Sequence, residues 1–504
     1  MFAVFSSGIL RIPHLSALLG GETVFRPTSP KGIRAVVGWG LKPTTKRARA
    51  FAAEHSLPYI ALEDGFLRSL RLGVQGDPPL SVVFDDRGIY YDATRPSRLE
   101  EILGSGDDAL ARSLDDGRRA LALVLEHGLS KYNAAPDRTL DLEPGTKRVL
   151  VVDQTAGDLA VMLGMADASS FQRMVAAARD EHPDALILIK THPDVIAGKR
   201  KGYLSGASRD PRSVLLREDI SPSALLSQVD HVYTVSSLLG FEALLRQKKV
   251  TCFGMPFYAG WGVSDDRLEC PRRKRTRSVL EIFTAAYLLY SRYVRPETGG
   301  RGSIFDVIEY LARQRRYARA NAGRLWCFGF QRWKRHYVRP YLSAPGNSMV
   351  FVSRIRDALG RGLAPGNPLV VWGHNERAEV RDWAARNGTT MVRVEDGFIR
   401  SVGLGSDLIG PMSLVVDRTG VYYDATQPSD LETLLNNSTF HSDLVERAKR
   451  LRESIVQCKI TKYNMETDAP LQLEGVGRGE VILVPGQVEG DASIRFGCRD
   501  TKTN

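Results

Sequence analysis

The chain has 504 residues, of which 43% are hydrophobic and 25% charged, and its net charge is +11. This composition is typical of globular proteins and excludes disordered and fibrous ones, and the length predicts about two to four domains. No apolar run reaches about 18 residues, so no membrane-spanning helix is expected, and the apolar start lacks the basic leader of a signal peptide. The five cysteines are widely spaced. We therefore predict neither a zinc site nor a disulfide framework, and we expect a reducing compartment.

Short apolar strands alternate with helical patterns through the first half of the chain. Strands are predicted at 35–39, 58–62, 81–84, 88–92, 149–153, 185–190, 231–235 and 250–254. Helices are predicted at 45–56, 95–103, 169–182, 223–228 and 236–247. Alternation of near-continuous apolar strands with helices is typical of parallel sheets covered on both faces. We predict an α/β fold with two such sheets facing each other across a cleft.

Two segments have less regular patterns. Strands 81–84 and 88–92 are separated by the turn residues Asp85–Gly88, which predict a hairpin. Residues 278–319 are predicted to form amphipathic helices.

Polar residues follow two of the first predicted strands, where ligands bind in open α/β sheets. Glu63 and Asp64 follow strand 58–62, and Arg68 lies close behind, which combines a candidate acid/base carboxylate with an anion-binding cation. A turn with a local salt bridge explains the same residues. Gln154 and Asp158 follow strand 149–153, where Asp158 suits a nucleophilic carboxylate or, equally, a helix N-cap.

Two further clusters point to an anionic ligand. Lys190 and His192 form a cationic pair suited to a carboxylate or phosphate, although a solvated lysine beside a loop histidine is the commoner case. Ser236 and Ser237 open a helix that carries Glu242, and free N–H groups with the helix dipole favour phosphate there. Plain helix capping is the alternative.

The loop 255–263 is rich in glycine and aromatic residues. Tyr258 and Trp261 within it suit stacking on a base or a sugar. The sequence has no Walker motif, nucleophile elbow, HExxH pair or dinucleotide fingerprint, and no metal-ligand cluster. We therefore predict no cofactor and no required metal.

The chain contains two copies of one module. Residues 63–100 and 395–432 align without a gap, with 22 identical positions among 38. The dipeptide Trp39-Gly40 returns at 372–373, the tripeptide at 131–133 returns at 462–464, and Glu395 and Asp491 are the second-copy counterparts of Glu63 and Asp158. A repeat of this length has the size of a whole enzyme and excludes a solenoid. The second copy is expected to be incomplete, because it has no counterpart of Lys190, His192, Ser236 or the loop 255–263.

The positive charge is concentrated in one region. Residues 301–341 hold 10 Lys and Arg against 2 Asp and Glu, with tryptophan, phenylalanine and tyrosine between them. An anionic membrane surface attracts such a segment, whereas a solvated helical connection between the copies explains it as well. Binding to nucleic acid has no other support and is not predicted.

The ordered set EDGF(L/I)RS, YYDAT, Q-x-x-GD, KTHP, SSLxGFEA and GxPFYAGWG, present partly in tandem, resembles the capsule polysaccharide β-Kdo transferases of the KpsC type. The resemblance implies a GT-B-like module of two Rossmann-like lobes followed by a partial second copy. The implied divisions are 1–140 for an acceptor lobe, 141–300 for a CMP-sugar donor lobe, 301–345 for a basic aromatic linker and 346–504 for the first lobe of the second copy.

The resemblance also implies an activity and residue roles. A retaining transferase would move Kdo from CMP-Kdo to a Kdo-terminated glycolipid, with Asp158 as nucleophile, Glu63 as acid/base and His192 beside the donor. The donor would contact Gln154, Lys190, Ser236, Ser237, Glu242, Tyr258 and Trp261, and the acceptor would face Asp64, Arg68, Tyr91 and Asp92. The family setting implies a cytoplasmic, peripheral protein on the inner face of the inner membrane, with capsule assembly proteins as possible partners.

Two other functions fit the same motifs. One is a transferase or epimerase of the same architecture with another sugar nucleotide, because serine at a helix start with a downstream glutamate suits many nucleotides. The other is a non-catalytic scaffold in capsule assembly. Turnover of the donor separates an enzyme from a scaffold.

Overall fold

The computed structural model describes residues 1–106, 108–143, 145–191, 193–196, 198, 200–204, 211–440, 442–465, 482–488 and 490–498. The chain forms two compact units, Met1–Arg316 and Tyr317–Asn504. The α/β class with parallel sheets, predicted from the alternation of strands and helices, is confirmed.

The first unit begins with a lobe built on one sheet. Its elements are β1 (Phe2–Val4), α1 (Ser7–Leu10), α2 (Leu15–Leu19), β2 (Thr23–Phe25), β3 (Ala35–Trp39), α3 (Lys46–Glu54), β4 (Tyr59–Asp64), β5 (Ser81–Asp85), α4 (Arg98–Gly104), α5 (Asp108–Arg112) and α6 (Leu114–Glu126). Strands β2, β1, β3 and β4 lie side by side in parallel, and β5 runs antiparallel to β4. Apolar side chains such as Val37, Leu62 and Val83 are fully buried, which explains why these short runs form central strands.

The prediction of a second hairpin strand at residues 88–92 is wrong. Residues 88–92 form turns instead of a strand. The carboxylate of Asp85 accepts hydrogen bonds from the backbone N–H groups of Arg87, Gly88 and Arg98, which turns the chain away from the sheet. Tyr90 then packs its ring against Phe66. A side chain that binds three backbone donors competes with strand pairing at this point.

A second lobe follows with a sheet in which every pairing is parallel. Its elements are β6 (Arg148–Val152), α7 (Leu159–Met162), α8 (Ala168–Glu181), β7 (Leu186–Lys190), α9 (Pro193–Ile196), β8 (Ser213–Leu216), α10 (Pro222–Ser227), β9 (His231–Thr234), α11 (Leu238–Leu245), β10 (Lys249–Cys252) and β11 (Asp265–Asp266). The strand order is β11-β10-β9-β6-β7-β8. This is the order of the Rossmann fold, in which the direction of winding reverses between β6 and β9.

The chain then returns to the first sheet. This segment comprises α12 (Val279–Phe283), a π-helical turn (Thr284–Leu289), β12 (Ser291–Val294), β13 (Arg301–Gly302) and α13 (Ile304–Ala320). Strand β12 pairs antiparallel with β5 and with β13, so the first sheet has seven strands in the order β13-β12-β5-β4-β3-β1-β2. The predictions of helices throughout 278–319 and of a donor lobe reaching residue 300 are therefore wrong for residues 291–302. Pairing with a strand more than 200 residues away leaves no local signal in the sequence.

The second unit contains a five-stranded sheet. Its elements are β14 (Arg324–Phe328), α14 (Arg332–Leu342), β15 (Ser348–Val352), α15 (Ile355–Leu359), β16 (Leu369–Trp372), α16 (Ala378–Arg386), β17 (Met391–Asp396), β18 (Leu414–Asp417), α17 (Asp430–Asn437), α18 (Ser442–Gln457) and α19 (Ala492–Gly497). The order β15-β14-β16-β17-β18 repeats the order β2-β1-β3-β4-β5 of the first unit.

The segment 301–345 is not a linker in the structure. Strand β14 lies inside the second sheet, between β15 and β16. Trp326, Phe328 and Phe330 are buried in that unit, so these aromatic rings are unavailable to a membrane surface. Arg315 is buried as well and donates to the carbonyl oxygen of His127. The dense mixture of aromatic and basic residues therefore reflects one buried strand flanked by helices with basic exposed faces.

Candidate active site

Glu63 lies at the end of β4, on the edge of the first sheet where β3 also ends. Its Oε1 accepts hydrogen bonds from Trp39 Nε1 at 2.7 Å and from the backbone N–H of Asp64 at 3.2 Å. Burial raises the pKa of Glu63, while the ammonium groups of Lys42 and Lys131 oppose that rise. A carboxyl group with a raised pKa and two nearby cations is suited to exchange a proton with a substrate.

Gly40 brings Glu63 and Tyr91 together. Its φ is +54°, and a Cβ atom placed on it would clash with the Tyr91 hydroxyl and lie 3.3 Å from Glu63 Oε2. The Tyr91 oxygen accepts a hydrogen bond from the backbone N–H of Leu41 at 3.2 Å. Tyr91, predicted on the acceptor side, thus lies beside the candidate acid/base because only glycine fits between them.

The pKa of Tyr90 is influenced by carboxylates of both lobes, and that of Lys131 by carboxylates of the first lobe. Burial raises the pKa of Tyr90; Lys131 opposes this, whereas Glu63, Asp64 and Asp158 raise it further. Burial lowers the pKa of Lys131, but neighbouring groups that include Tyr90, Asp64 and Glu63 raise it, and the net direction is upward. Carboxylates of both lobes, Glu63 and Asp158, therefore raise the pKa of the same tyrosine. Neither Lys131 nor Trp39 was predicted as a site residue, although the return of both in the second copy is a usable signal.

Asp158 lies just beyond the end of β6, as the N-cap of α7. Its Oδ1 accepts a hydrogen bond from the backbone N–H of Ala160 at 3.0 Å. The N–H of Ala93, in the turn that follows Tyr91, donates to the carbonyl oxygen of Leu163 at 2.8 Å and so ties the start of the second lobe to that turn. Asp158 can both cap the helix and act in chemistry, because the cap uses one of its two carboxylate oxygens.

Three residues predicted for the acceptor side are held by internal partners. Arg68 is buried and binds the Asp64 carboxylate at 2.6 Å, and its Nη1 also donates to Ser69 Oγ. Asp92 is buried and accepts from the backbone N–H and the hydroxyl of Thr94. The alternative of a turn with a local salt bridge describes Asp64 and Arg68 in this structure.

Gln154 and Ser236 meet at the point where the winding of the second sheet reverses. Gln154 Oε1 accepts the backbone N–H of Ser236 at 2.9 Å, and its Nε2 donates to Ser236 Oγ at 3.1 Å. The neighbouring Ser237 is the N-cap of α11, where its hydroxyl accepts from the N–H of Leu239. Ligands of open α/β sheets bind in the crevice at such a reversal, so these residues surround the expected ligand position.

Lys190 ends β7, the strand next to β6. Its Nζ donates to the carbonyl oxygen of Glu218 at 2.9 Å. Burial lowers the pKa of Lys190, and the carboxylates of Asp219 and Glu218 oppose that effect. The predicted partner His192 lies outside the residues that the structure describes. The hydroxyl of the intervening Thr191 is buried and has no hydrogen-bond partner among the residues that the structure describes.

The structure assigns packing roles to three residues predicted to contact the donor. Glu242 is buried, and its Oε1 accepts from Ser130 Oγ at 2.6 Å. The rings of Tyr258 and Trp261 are fully buried, and their polar atoms donate to carbonyl oxygens within the second lobe. The prediction of a stacking loop is therefore wrong for this conformation, because neither ring has a free face.

Two arginines that the sequence analysis did not single out join the lobes behind this site. Arg272 Nε binds Glu100 Oε1 at 2.6 Å, and Arg273 Nε binds Glu100 Oε2 at 3.2 Å. Arg272 also donates to the carbonyl oxygen of Ala93. These arginines fix the turn that carries Tyr91. The sequence did not reveal this role, because both residues lie within a run of basic residues.

The second unit repeats part of the arrangement. Burial raises the pKa of Glu395, and Tyr423 donates to its Oε2 at 3.4 Å. Asp491 is again an N-cap and accepts from the N–H of Ser493 at 2.9 Å. One difference is Lys334, whose ammonium lies 3.7 Å from the ring centroid of Trp372, the counterpart of Trp39.

The described part of the chain contains no group of three or more histidine, cysteine, aspartate or glutamate residues arranged to hold a metal ion. Within the same ranges, no helix has both the length and the apolar character needed to cross a bilayer.

A family model described as "Capsule polysaccharide biosynthesis protein" matches residues 34–293 and 367–504. The chain belongs to this family. The resemblance to KpsC-type proteins inferred from the motifs is confirmed. "Capsule polysaccharide modification protein LipA" of Neisseria meningitidis serogroup A / serotype 4A is 48% identical over 505 residues, which cover 98% of this chain and 71% of LipA.

The chain is also similar to two further proteins. "Lipopolysaccharide-processing protein LpsZ" of Rhizobium meliloti is 41% identical over 297 residues, which cover 58% of this chain and 67% of LpsZ. The solved structure "Thermosulfurimonas dismutans KpsC, beta Kdo 2,4 transferase" matches with a TM-score of 0.59 and 49% identity, and covers 62% of this chain and 97% of that one. The chain is thus similar in both sequence and fold to a β-Kdo transferase.

Proposed function

We propose that the first unit is a retaining β-Kdo glycosyltransferase, which moves Kdo from CMP-Kdo to a Kdo-terminated glycolipid during capsule synthesis. The observation that carries this proposal is the 49% identity to the KpsC β-Kdo 2,4 transferase over 97% of that chain. The presence of Glu63 and Asp158 beyond strand ends of the two lobes supports it, because a retaining transfer through a covalent intermediate needs two carboxylates in different roles.

The proposed reaction has two displacements. An oxygen of Asp158 attacks the anomeric carbon of the donor, the bond to the phosphate breaks, and CMP leaves with the bonding electrons. The acceptor hydroxyl then attacks the same carbon, its proton passes to Glu63, and Asp158 leaves as a carboxylate. Two inversions at one carbon give net retention of configuration.

Donor binding is proposed at the crevice of the second sheet. Gln154, Ser236 and Ser237 line the crevice, where hydroxyl and N–H groups suit the CMP phosphate. Lys190 at the neighbouring strand end, with His192, would bind the sugar carboxylate or the phosphate. Burial of Lys190 strengthens a charge-assisted hydrogen bond to such an anion. No metal is required by this scheme.

The test is transfer from freshly prepared CMP-Kdo to a synthetic Kdo-terminated lipid acceptor, followed by mass spectrometry. Addition of a single Kdo supports transfer by the first unit alone. Binding of CMP without any product would point to a different sugar or acceptor. A chain that neither binds CMP nor forms product would support the scaffold alternative and would contradict the proposal.

A further inference from the structure

The loop 153–158, which leads from β6 to the candidate nucleophile Asp158, is paired with a segment from another connection of the same lobe. That segment is 201–204, which lies between β7 and β8 in the chain. The backbone N–H of Ala156 donates a hydrogen bond to the carbonyl oxygen of Lys201 at 2.8 Å. Because neither segment lies in a helix or in one of the strands, the loop depends on contacts of this kind for its position.

A buried carboxylate anchors the segment 201–204. Asp153 is 4% exposed, and its Oδ1 accepts a hydrogen bond from the backbone N–H of Tyr203 at 3.0 Å. Gly202 packs directly on this carboxylate, since a Cβ atom placed on it would clash with Asp153 Oδ2. Gly202 also forms an antiparallel bridge with Thr155. The close approach of the segment to the loop therefore requires glycine at this position.

Tyr203 connects this segment to the residue that precedes Asp158. Its ring stacks on Phe171 of α8, with a centroid distance of 4.2 Å and an angle of 10° between the rings, and Phe171 is fully buried. The Tyr203 hydroxyl oxygen accepts a hydrogen bond from the backbone N–H of Gly157 at 3.3 Å. Because the core of the lobe fixes the ring, the hydroxyl in turn fixes the N–H of Gly157.

Gly157 is the point of the loop that most needs such a restraint. Its φ is +80°, and glycine adopts many other backbone conformations at little cost. A Cβ atom placed on it would have no neighbour within 4 Å among the described residues, so side-chain packing does not restrain it. The helix cap from Ala160 fixes one oxygen of Asp158 but not the backbone before it. A change in the torsions of Gly157 would therefore rotate Asp158 relative to the donor crevice.

We propose that Tyr203 is a positioning residue for Asp158. By holding the N–H of Gly157, its hydroxyl keeps the Asp158 carboxylate aligned with the anomeric carbon of the donor during the first displacement. The inference rests on the proposed function, because it takes Asp158 as the nucleophile of a glycosyl transfer. A misplacement of about 1 Å can cost about 100-fold in rate. Loss of the hydroxyl should therefore slow the first displacement and leave the binding of CMP unchanged.

The first test compares two tyrosine variants of the full chain. Tyr203→Phe removes the hydroxyl and keeps the ring on Phe171. We expect the single-turnover rate of CMP release from CMP-Kdo, which measures the first displacement, to fall about 10- to 100-fold. The dissociation constant of CMP should change less than about twofold. Tyr233→Phe is the matched control and should keep the full rate, because the Tyr233 hydroxyl donates to Glu181 Oε2 at 2.6 Å, where α8 ends before β7.

Hydrogen exchange measures the restraint on the loop without any reaction. In the Tyr203→Phe chain, exchange should become about tenfold faster in fragments that contain Gly157, because its N–H has lost its acceptor. Exchange at Arg148–Val152, on the preceding strand β6, should stay unchanged. The Tyr233→Phe chain should match the unmodified chain in both regions. Unchanged exchange at Gly157 in the Tyr203→Phe chain would overturn the proposal.

Gly202→Ala alters the same contact from the other side. The added methyl group would overlap Asp153 Oδ2 and displace the segment 201–204, so the rate of CMP release should again fall about tenfold or more. Adding Tyr203→Phe to this variant should cost less than about threefold further, because both changes remove the same restraint. Losses that multiply in the double variant would overturn the proposal.

Failure of this inference and failure of the proposed function give different results. An unmodified chain that neither transfers Kdo nor releases CMP from CMP-Kdo contradicts the proposed function, and the inference falls with it. An active unmodified chain whose Tyr203→Phe variant keeps the full rate overturns the inference alone. An equal loss of rate in Tyr203→Phe and Tyr233→Phe, or a loss of CMP affinity as large as the loss of rate, also overturns it.

Discussion

Glu63 and Asp158 have different local environments, which agree with their different predicted roles. Asp158 has one oxygen fixed by a helix cap, whereas Glu63 is partly buried, accepts a hydrogen bond from Trp39 and is influenced by the ammonium groups of two lysines. The first setting orients a nucleophile without neutralising it, and the second raises the pKa of an acid/base.

Asp158→Asn should abolish transfer while the fold survives. The amide oxygen can still accept the hydrogen bond from Ala160, but the amide is not a nucleophile. We expect kcat to fall by about 10⁴-fold or more, as for other nucleophile variants. Asp491→Asn is the matched control, because it changes an equivalent helix cap in the second unit and should leave kcat unchanged. A well-folded Asp158→Asn enzyme with normal turnover would contradict the assignment.

Glu63→Gln should alter the pH dependence of both activity and stability. As a base, Glu63 must be ionised, so kcat/KM should fall with decreasing pH through a pKa above the ordinary 4.5, and the variant should lose about 10²–10⁴-fold in activity. The raised pKa means that Glu63 stabilises the fold below pH 4.5 and that this contribution is lost as the pH rises through the folded-state pKa.

The free energy of unfolding of Glu63→Gln should therefore exceed that of the unmodified chain at pH 7, and the difference should vanish at low pH. Chemical denaturation at several pH values measures it. Glu395→Gln should change stability in the same direction without loss of transfer. A neutral-pH stability unaffected by Glu63→Gln would contradict the raised pKa.

At the scale of elements, the sequence predicted the strands that lie in apolar runs and missed the pairings that join distant segments. Runs such as 185–190 and 231–235 are apolar enough to specify buried strands by themselves, and the structure has β7 and β9 there. Strands β12 and β13 are short and polar in part, and they exist because β5 offers an edge. Residues 88–92, predicted as a strand, form a turn instead. This turn was missed for a similar reason, because it depends on the contacts of a single side chain, that of Asp85.

For the site, the strand-end rule selected Glu63, Gln154, Asp158, Lys190 and Ser236, and their roles stay predictions. Tyr258 and Trp261 were also selected, because the sequence of a loop rich in glycine and aromatic residues does not indicate whether its rings face a ligand or the core. Burial depends on the whole packing of the lobe, which no local pattern contains.

Tyr290→Phe should weaken the connection between β12 and the first sheet. The Tyr290 hydroxyl donates to Asp85 and accepts from the backbone N–H of Tyr90, and all of these groups lie within the protein. Its loss should lower the free energy of unfolding by about 1–2 kcal/mol, as expected for a buried hydrogen bond left without one partner. Tyr310→Phe is the control and should change stability by less than about 0.5 kcal/mol. Equal melting curves for the two variants would contradict the role of the Tyr290 hydroxyl.

At the scale of the whole molecule, the positive charge remains a candidate for membrane attraction although the rings of Trp326, Phe328 and Phe330 are buried. The exposed residues of α14 include Arg332 and Arg339. Each basic residue near an anionic surface contributes about 1 kcal/mol, which is about fivefold in affinity.

The chain should therefore sediment with anionic vesicles at low salt and be released at high salt. Arg332→Gln with Arg339→Gln should weaken this binding about 25-fold, from two contributions of about fivefold each. Arg356→Gln with Arg361→Gln is the control, because these arginines are exposed elsewhere in the second unit. An absence of vesicle binding even at low salt would exclude an electrostatic membrane contact.

The hydrogen bond between Glu242 and Ser130 has a consequence for the order of events in catalysis. Ser130 is the chain neighbour of Lys131, whose ammonium influences the pKa of Glu63, while Glu242 lies on α11, the helix whose first turn borders the proposed donor crevice. A ligand that displaces α11 thereby shifts the cation next to the base. Such a displacement would alter the pKa of Glu63 and so couple the occupancy of the donor crevice to the proton affinity of the base in the other lobe.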